Sequence, residues 1–252
     1  MLIHGSCLIV LATLLSLSPI FAQEPAAPTP APAATPPPLT PETRADIFMA
    51  RKAYREAIDQ YRQCDQTAQV LNKIGIAYHN LVNLGTAKKY YQRAIKANPK
   101  YSEAVNNLGT VYYAEKSYRR AVSQYHRALR LAPESASVYS NLGTAYFARR
   151  DYKAAAEAYQ KALALDPEVF EHKGAYGIMI QERTVEDKAK FHYYLAKVYA
   201  QAGANDRAIL YIRKALEEGF KERKKFVEEP EFAKLQDLPE FKELMATEPR
   251  VL

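Results

Sequence analysis

The 252-residue chain contains no tryptophan and only two cysteines, Cys7 and Cys64. Cys7 falls in an N-terminal stretch expected to be removed, which leaves Cys64 alone and excludes an intramolecular disulfide in the mature chain. No base neighbours Cys64, so a buried, inert thiol is expected there rather than a nucleophile. Gly-rich phosphate loops, His-Glu-x-x-His, the nucleophile elbow and cysteine pairs at metal spacing are all missing. His79, His126, His172 and His192 are scattered and have no ligand partner one helical turn on. Carboxylates such as Glu157, Glu217 and Glu218 lie among Lys and Arg, with nothing to mark a tuned acid–base pair. These absences predict a chain that is not an enzyme and binds no cofactor or metal.

Long apolar runs are scarce as well. The one candidate, Cys7 to Ala22, is interrupted by Pro19 and falls short of the about 20 apolar residues that a membrane-crossing helix needs. It reads as the apolar core of a secretory signal over residues 1–22, ending in the cleavage triplet Ile20-Phe21-Ala22, with an uncleaved anchor as the alternative. The protein is then expected in the periplasm or outside the cell, touching a membrane only if that segment is retained. Eight of the fifteen prolines fall in residues 23–41, which excludes helix and sheet over most of that stretch and leaves an extended tether.

Tyrosine, with 19 copies, dominates the aromatics, and the net charge is +7. Lys and Arg read as interspersed with Glu and Asp along helices, which predicts a solvated surface and no nucleic-acid partner.

Between Ala68 and Val169 one pattern returns three times at a period of 34 residues. Ile74-Gly75-x-x-Tyr78 recurs as Leu108-Gly109-x-x-Tyr112 and Leu142-Gly143-x-x-Tyr146. Ala87, Ala121 and Ala155 keep the register, as do Tyr91, Tyr125 and Tyr159, then Ala94, Ala128 and Ala162, and each unit closes at Pro99, Pro133 or Pro167. Each glycine is expected where the two helices of a unit cross, opposite the first alanine. The second set of tyrosines is expected to pack between neighbouring units. Asp151 and Ser117 are expected to cap second helices, and the prolines to end them.

These residues resemble the tetratricopeptide repeat family, whose unit is a 34-residue helix-turn-helix. The resemblance implies an all-α, right-handed α-solenoid. On this frame residues 42–67 form a degenerate first repeat, opened by Thr40 as N-cap with Pro41 at the first helical position. Residues 68–169 are three full units, and residues 189–222, with Leu195-Ala196-x-x-Tyr199, form a fourth. An insert over 170–188 breaks the period and is expected to extend the preceding helix into a loop. Residues 223–252 supply capping helices. The basic cluster Lys221, Arg223, Lys224 and Lys225 is expected to be a solvated helix start.

Function should lie on the inner face formed by the first helix of each unit. In the family an Asn just before the Leu-Gly pair often lies in this groove and can hydrogen-bond a peptide backbone; the matching residues are Asn107 and Asn141, with Lys73 and Tyr194 at the same register. Asn106, Thr110, Tyr113, Ser140, Thr144 and Phe147 are expected beside them. A carboxylate clamp of the family is only partly matched, because its second basic residue is replaced by Glu103 and Ser137. The expected function is a non-catalytic scaffold binding an extended polypeptide in this groove. Two alternatives stand beside it: an accessory subunit docking on a separate enzyme through the insert, and a binder of anionic envelope polymer or lipid.

Overall fold

The computed structural model describes residues 38–171 and 185–247. The segment expected to be a secretory signal, nearly all of the expected tether and most of the insert lie outside the described residues. Twelve α-helices are present among those described: α1 (Pro41–Ala50), α2 (Tyr54–Tyr61), α3 (Ala68–Asn80), α4 (Leu84–Ala97), α5 (Ser102–Ala114), α6 (Tyr118–Leu131), α7 (Ala136–Ala148), α8 (Tyr152–Leu165), α9 (Val185–Gln201), α10 (Asn205–Glu217), α11 (Lys225–Glu228) and α12 (Pro239–Ala246). A 3-10 helix spans Pro230–Leu235. None of the described helices is long and apolar enough to cross a membrane. Helices α1 to α10 pack as five antiparallel pairs, and each pair packs on the next, so the fold is an α-solenoid.

Local chemistry sets the helix ends. Thr40 accepts a hydrogen bond from the Thr43 amide at 3.1 Å, and Pro41 follows at the first helical position. Thr67, Asn83 and Asp151 cap α3, α4 and α8 in the same way, accepting from Val70, Thr86 and Ala154 at 3.2, 3.2 and 3.3 Å. Ser117 is the exception: its hydroxyl makes no capping bond to α6, contrary to expectation. Asn98, Ala132 and Asp166 end the second helices in non-helical backbone, each followed by a proline that disfavours a further helical residue.

The turn inside each pair passes through a residue with left-handed backbone: Lys52, Val82, Lys116, Arg150 and Gly203. The next amide reaches back to the helix, as Asn83 does to the Tyr78 carbonyl at 2.9 Å. Val82 is the anomaly, a β-branched residue at φ 58° that is 78% exposed, so neither sterics nor burial favours it there. Val82→Gly is therefore expected to raise stability by about 0.5–1 kcal/mol, after allowing for the greater freedom of glycine in the unfolded chain. Equilibrium urea unfolding checks this, and a loss of stability would show that Val82 makes a contact worth more than its strain.

The core corrects two expectations. A Cβ placed on Gly75, Gly109 or Gly143 would sit 2.5–2.6 Å from a ring carbon of Tyr91, Tyr125 or Tyr159. The glycines therefore make room for the tyrosine ring of their own unit, not for the alanine opposite. The same rings also reach the following unit, since Tyr91 shares a cluster with Ala87, Leu108 and Val111. In the last pair both partners change together: Ala196 replaces the glycine and Ile212 replaces the ring, and both are fully buried. At the first pair Ala45 faces Tyr61. Cys64 is only half-buried, because α2 stops at Tyr61 and leaves it in the following turn. Burial still pushes its thiol above the usual cysteine range, and its Sγ donates to the Gln60 carbonyl at 3.5 Å.

The insert does not prolong α8, which ends at Leu165 before Pro167. Its first residues join two pairs instead. Phe170 packs on Tyr159 and Tyr199, and Glu171 pairs with Arg207 at 2.6 Å. Helix α9 begins at Val185, a full turn ahead of the expected unit start at Ala189.

Beyond α10 the chain folds over the end of the array. Phe226 and Phe232 are fully buried beside Tyr193, which also stacks on Phe220 at 4.6 Å. The basic cluster here is divided by the fold. Arg223 donates to the carbonyls of Leu244, Met245 and Thr247 at 2.7–2.8 Å, holding the C-terminal end of α12, while Lys225 pairs with Glu222 at 2.6 Å.

Candidate interaction surface

The first helices of neighbouring pairs touch one another, α3 against α5 and α5 against α7, so they form one continuous inner face. Along an α-helix the adjacent positions 72 and 73 point in different directions, and so do their equivalents one period later. That divergence lets each unit reach both of its neighbours. Asn107 Nδ2 donates to Asn72 Oδ1 at 3.0 Å, and Asn141 Nδ2 donates to Asn106 Oδ1 at 3.0 Å. Asn106 Nδ2 lies 3.5 Å from Asn107 Oδ1 within α5, and Asn72 Nδ2 lies 3.4 Å from the Tyr101 hydroxyl. Four amides thus run in one chain of hydrogen bonds across α3, α5 and α7.

Lys73 occupies the same register as Asn107 and Asn141, and makes the same backward reach with a charge. Its Nζ lies 2.9 Å from Glu42 and 2.9 Å from Asp46 on α1, and 5.7 Å from the centre of the Tyr61 ring. Tyr61 donates its hydroxyl to Asp46. Burial alone would lower the Lys73 ammonium, but its bonds to Asp46 and Glu42 outweigh that and hold it above its ordinary range. Burial would likewise raise Asp46, yet Tyr61 and Lys73 hold its carboxyl below the usual range. Lys73 is thus an internal tie between α1 and α3 and not a ligand waiting in a groove.

The ten residues expected to line one groove separate into two groups of four and two single residues. Asn106, Asn107, Thr110 and Tyr113 are half-buried and reachable on α5. Ser140, Asn141, Thr144 and Phe147 on α7 are 2–5% exposed, so a partner cannot reach them as the chain stands. Thr144 is held in place by accepting from the Tyr159 hydroxyl at 3.3 Å and donating to the Ser140 carbonyl at 3.0 Å. Tyr194 joins an aromatic knot: it stacks on Tyr152 at 4.8 Å and meets Phe147 edge-on at 6.0 Å, while Phe191 meets Phe147 at 5.6 Å. Lys190 covers the Tyr152 ring at 4.3 Å. Lys73 stands apart, in its ion pairs.

Asn72 and Tyr101 belong to the amide chain and were missed from sequence. The signal was present in the spacing. Asn72 and Asn106 share one position of the repeat and Asn107 and Asn141 the next, so a link skips 35 residues, one more than the period. Two histidines also have partners: His126 Nε2 lies 2.8 Å from the Tyr146 hydroxyl, and His192 Nδ1 lies 2.5 Å from Glu218.

Among solved structures, MamA from residue 41 onward of Desulfovibrio magneticus RS-1 is 23% identical, covering 71% of this chain and 92% of its own, with a TM-score of 0.49. YrrB, described as having an unusual peptide-binding site, is 22% identical over 52% of this chain and 69% of its own, at 0.46. The first repeat domain of Spaghetti (RPAP3), solved with an HSP90 peptide, is 28% identical over 43% of this chain and 86% of its own, at 0.41. At these scores they add nothing to the fold, which rests on the helices themselves. No curated protein matches the chain. Models of the tetratricopeptide repeat match residues 68–101, 101–168 and 179–220, together more than half of the chain. With the paired helices, the 34-residue register and the glycine–tyrosine contacts already in view, the chain belongs to the tetratricopeptide repeat family.

Proposed function

We propose that the protein is a non-catalytic interaction scaffold that holds an extended polypeptide against α5 and the neighbouring part of the inner face. The carrying observation is the amide chain through Asn72, Asn106, Asn107 and Asn141. Asn106 and Asn107 are the reachable members: a side-chain amide has two donors and an acceptor with two lone pairs, and bonds to the buried Asn72 and Asn141 fix which edge points where. A peptide bond presents the complementary donor and acceptor whatever its side chain. Because the amides are already locked to one another, a ligand pays little ordering entropy on the protein side. Tyr113 and Thr110 flank the reachable stretch with a ring and a hydroxyl. Thr110 donates to the Asn107 carbonyl at 2.7 Å, which leaves its oxygen able to accept. A peptide-binding site is part of the description of YrrB and a bound HSP90 peptide part of that of Spaghetti, but the proposal stands on the amides and not on those likenesses.

The test is binding to a displayed library of unstructured peptides, comparing wild type with Asn107→Ala and Thr110→Val. Asn107→Ala removes one amide from the surface and is expected to weaken retained peptides by roughly tenfold, the worth of one or two hydrogen bonds. Circular dichroism of each variant guards against a folding defect. Undiminished binding by both folded variants would overturn the placement on α5.

A further inference from the structure

The excess of positive charge has an address. Helix α4 carries Lys88, Lys89, Arg93 and Lys96 and no carboxylate, and α6 carries Arg119, Arg120, Arg127 and Arg130 and no carboxylate. Set those eight aside, and the remaining 27 Lys and Arg are offset by 28 Asp and Glu. The mixed, solvated charge expected from the whole sequence therefore describes the rest of the chain but not these two helices.

Both are second helices, facing away from the inner surface. Their apolar sides, Ala87, Tyr91 and Ala94 on α4 and Ala121, Tyr125 and Ala128 on α6, are buried in the array. The cations fall on the other side. Lys89, Arg93 and Lys96 recur at helical spacing, as do Arg120, Arg127 and Arg130, and all are exposed except the half-buried Arg127. Arg93 and Arg127 are one period apart, and so are Lys96 and Arg130, so the two rows lie in register on adjacent units. Only Lys88 has an ion pair among the described residues, with Glu115 at 3.0 Å. The field stops at Asp59 on α2, in the register of Arg93 and Arg127, while on α8 that register continues as the exposed Lys161, with Glu157 one turn before it. At the N-terminal end of α6 it continues into a shallow depression of about 490 Å³ bordered by Lys116, Arg119, Arg120 and Arg149.

We propose that the outer face of α4 and α6 docks an acidic polypeptide segment of a partner protein, whose carboxylates pair with the two cationic rows. Charge complementarity is the argument, and the chemistry of the patch narrows the class of partner. Arginine forks match carboxylates in two-point hydrogen bonds. A lipid surface fits poorly, because the only exposed large apolar side chain described on α4 and α6 is Leu131, and one such side chain makes no apolar face to enter a bilayer. A nucleic acid fits poorly too, because the rings in the patch are already covered. Tyr112 lies between Lys88 at 4.7 Å and Arg120 at 5.6 Å, and Tyr90 lies under Arg93 at 4.9 Å and stacks on Tyr78 at 5.5 Å. This surface is separate from the inner face, so either could fail without the other.

The experiment is fluorescence anisotropy of a labelled oligoglutamate peptide with the full chain, at physiological ionic strength. Arg93→Glu/Arg127→Glu is expected to weaken binding by roughly tenfold or more. The matched reversal Arg213→Glu/Lys234→Glu changes net charge equally at exposed positions elsewhere, and should weaken it by no more than about twofold. Equal losses in the two variants would show only diffuse attraction and overturn the site. Failure of the wild type to bind oligoglutamate would do the same. So would tighter, Arg93/Arg127-dependent binding to phosphatidylglycerol vesicles or to a single-stranded oligonucleotide, which would reassign the face to lipid or nucleic acid.

Discussion

Gly109→Ala is expected to destabilise the protein by about 2–3 kcal/mol, although alanine is the better helix former. The new Cβ would lie 2.5 Å from Cε1 and 2.8 Å from Cδ1 of Tyr125, well inside contact distance. Tyr125 cannot step aside, since it is fully buried in one cluster with Val105, Ala121, Val138 and Leu142. The relief must come from parting α5 and α6, which breaks close packing along both helices. Gly85→Ala provides the internal contrast. Gly85 lies in the first turn of α4 with nothing within 4 Å of an added Cβ, so alanine should raise stability there by up to about 1 kcal/mol. Urea unfolding of the two single variants, followed by helical circular dichroism, should give changes of opposite sign. A neutral Gly109→Ala would mean that the helix pair is looser than the ring contact implies. The first pair already combines an alanine with a ring, Ala45 with Tyr61. There α1 has a neighbouring unit on one side only among the described residues, so it can shift outward as α5 cannot.

Phe232→Ala should cost about 3–4 kcal/mol, with the damage confined to one end of the chain. Phe232 is fully buried and meets Phe226 at 5.3 Å and Tyr193 at 6.2 Å. Removing its ring takes away the link between the 3-10 helix and α9, and the cavity has few ways to close because Phe226 and Leu235 are also fully buried. Units in a solenoid are stabilised by their nearest neighbours, so the loss should not spread evenly. Hydrogen exchange is expected to quicken across 225–247 and along α9 and α10, while α3 to α6 keep their protection. Equal acceleration in all helices would show instead that the array and its cap unfold as one block.

The parts of the molecule visible from sequence are those in which one residue type has a single mechanical use. Pro99, Pro133 and Pro167 each follow the end of a second helix, and the recurring glycine needs a close neighbour, so helix order followed from spacing and the fold class from the family resemblance that these residues carry. Which neighbour the glycine serves did not follow, because Ala121 and Tyr125 lie on the same helix one turn apart and pattern cannot rank them. The interaction surface was legible in its residue types and wrong in its exposure. Asn107 and Asn141 look equivalent in the repeat, yet one is half-buried and the other 2% exposed. Burial is a property of the whole array, and a periodic sequence carries no record of where the period's surroundings change. Lys73 misled for a related reason. Its partners Glu42 and Asp46 lie in the degenerate unit, where the repeat offers no register to align. The cationic rows on α4 and α6 needed only helix boundaries to be seen, and a whole-chain charge count averages them away.

The backward reach from each unit also limits how this array can change length. Lys73 extends to Glu42, Asn107 to Asn72 and Asn141 to Asn106, so each of these three joints uses a donor on one unit and a matching acceptor on the unit before it. Among the described residues, the unit from 102 to 135 is the one whose donor and acceptor are both asparagines. A copy of it inserted beside itself would find its own chemistry on each side. The unit from 68 to 101 has no such freedom, since its lysine would then face an amide where it now meets two carboxylates. Growth of the solenoid by duplication is therefore open at its middle and closed near its N-terminal end.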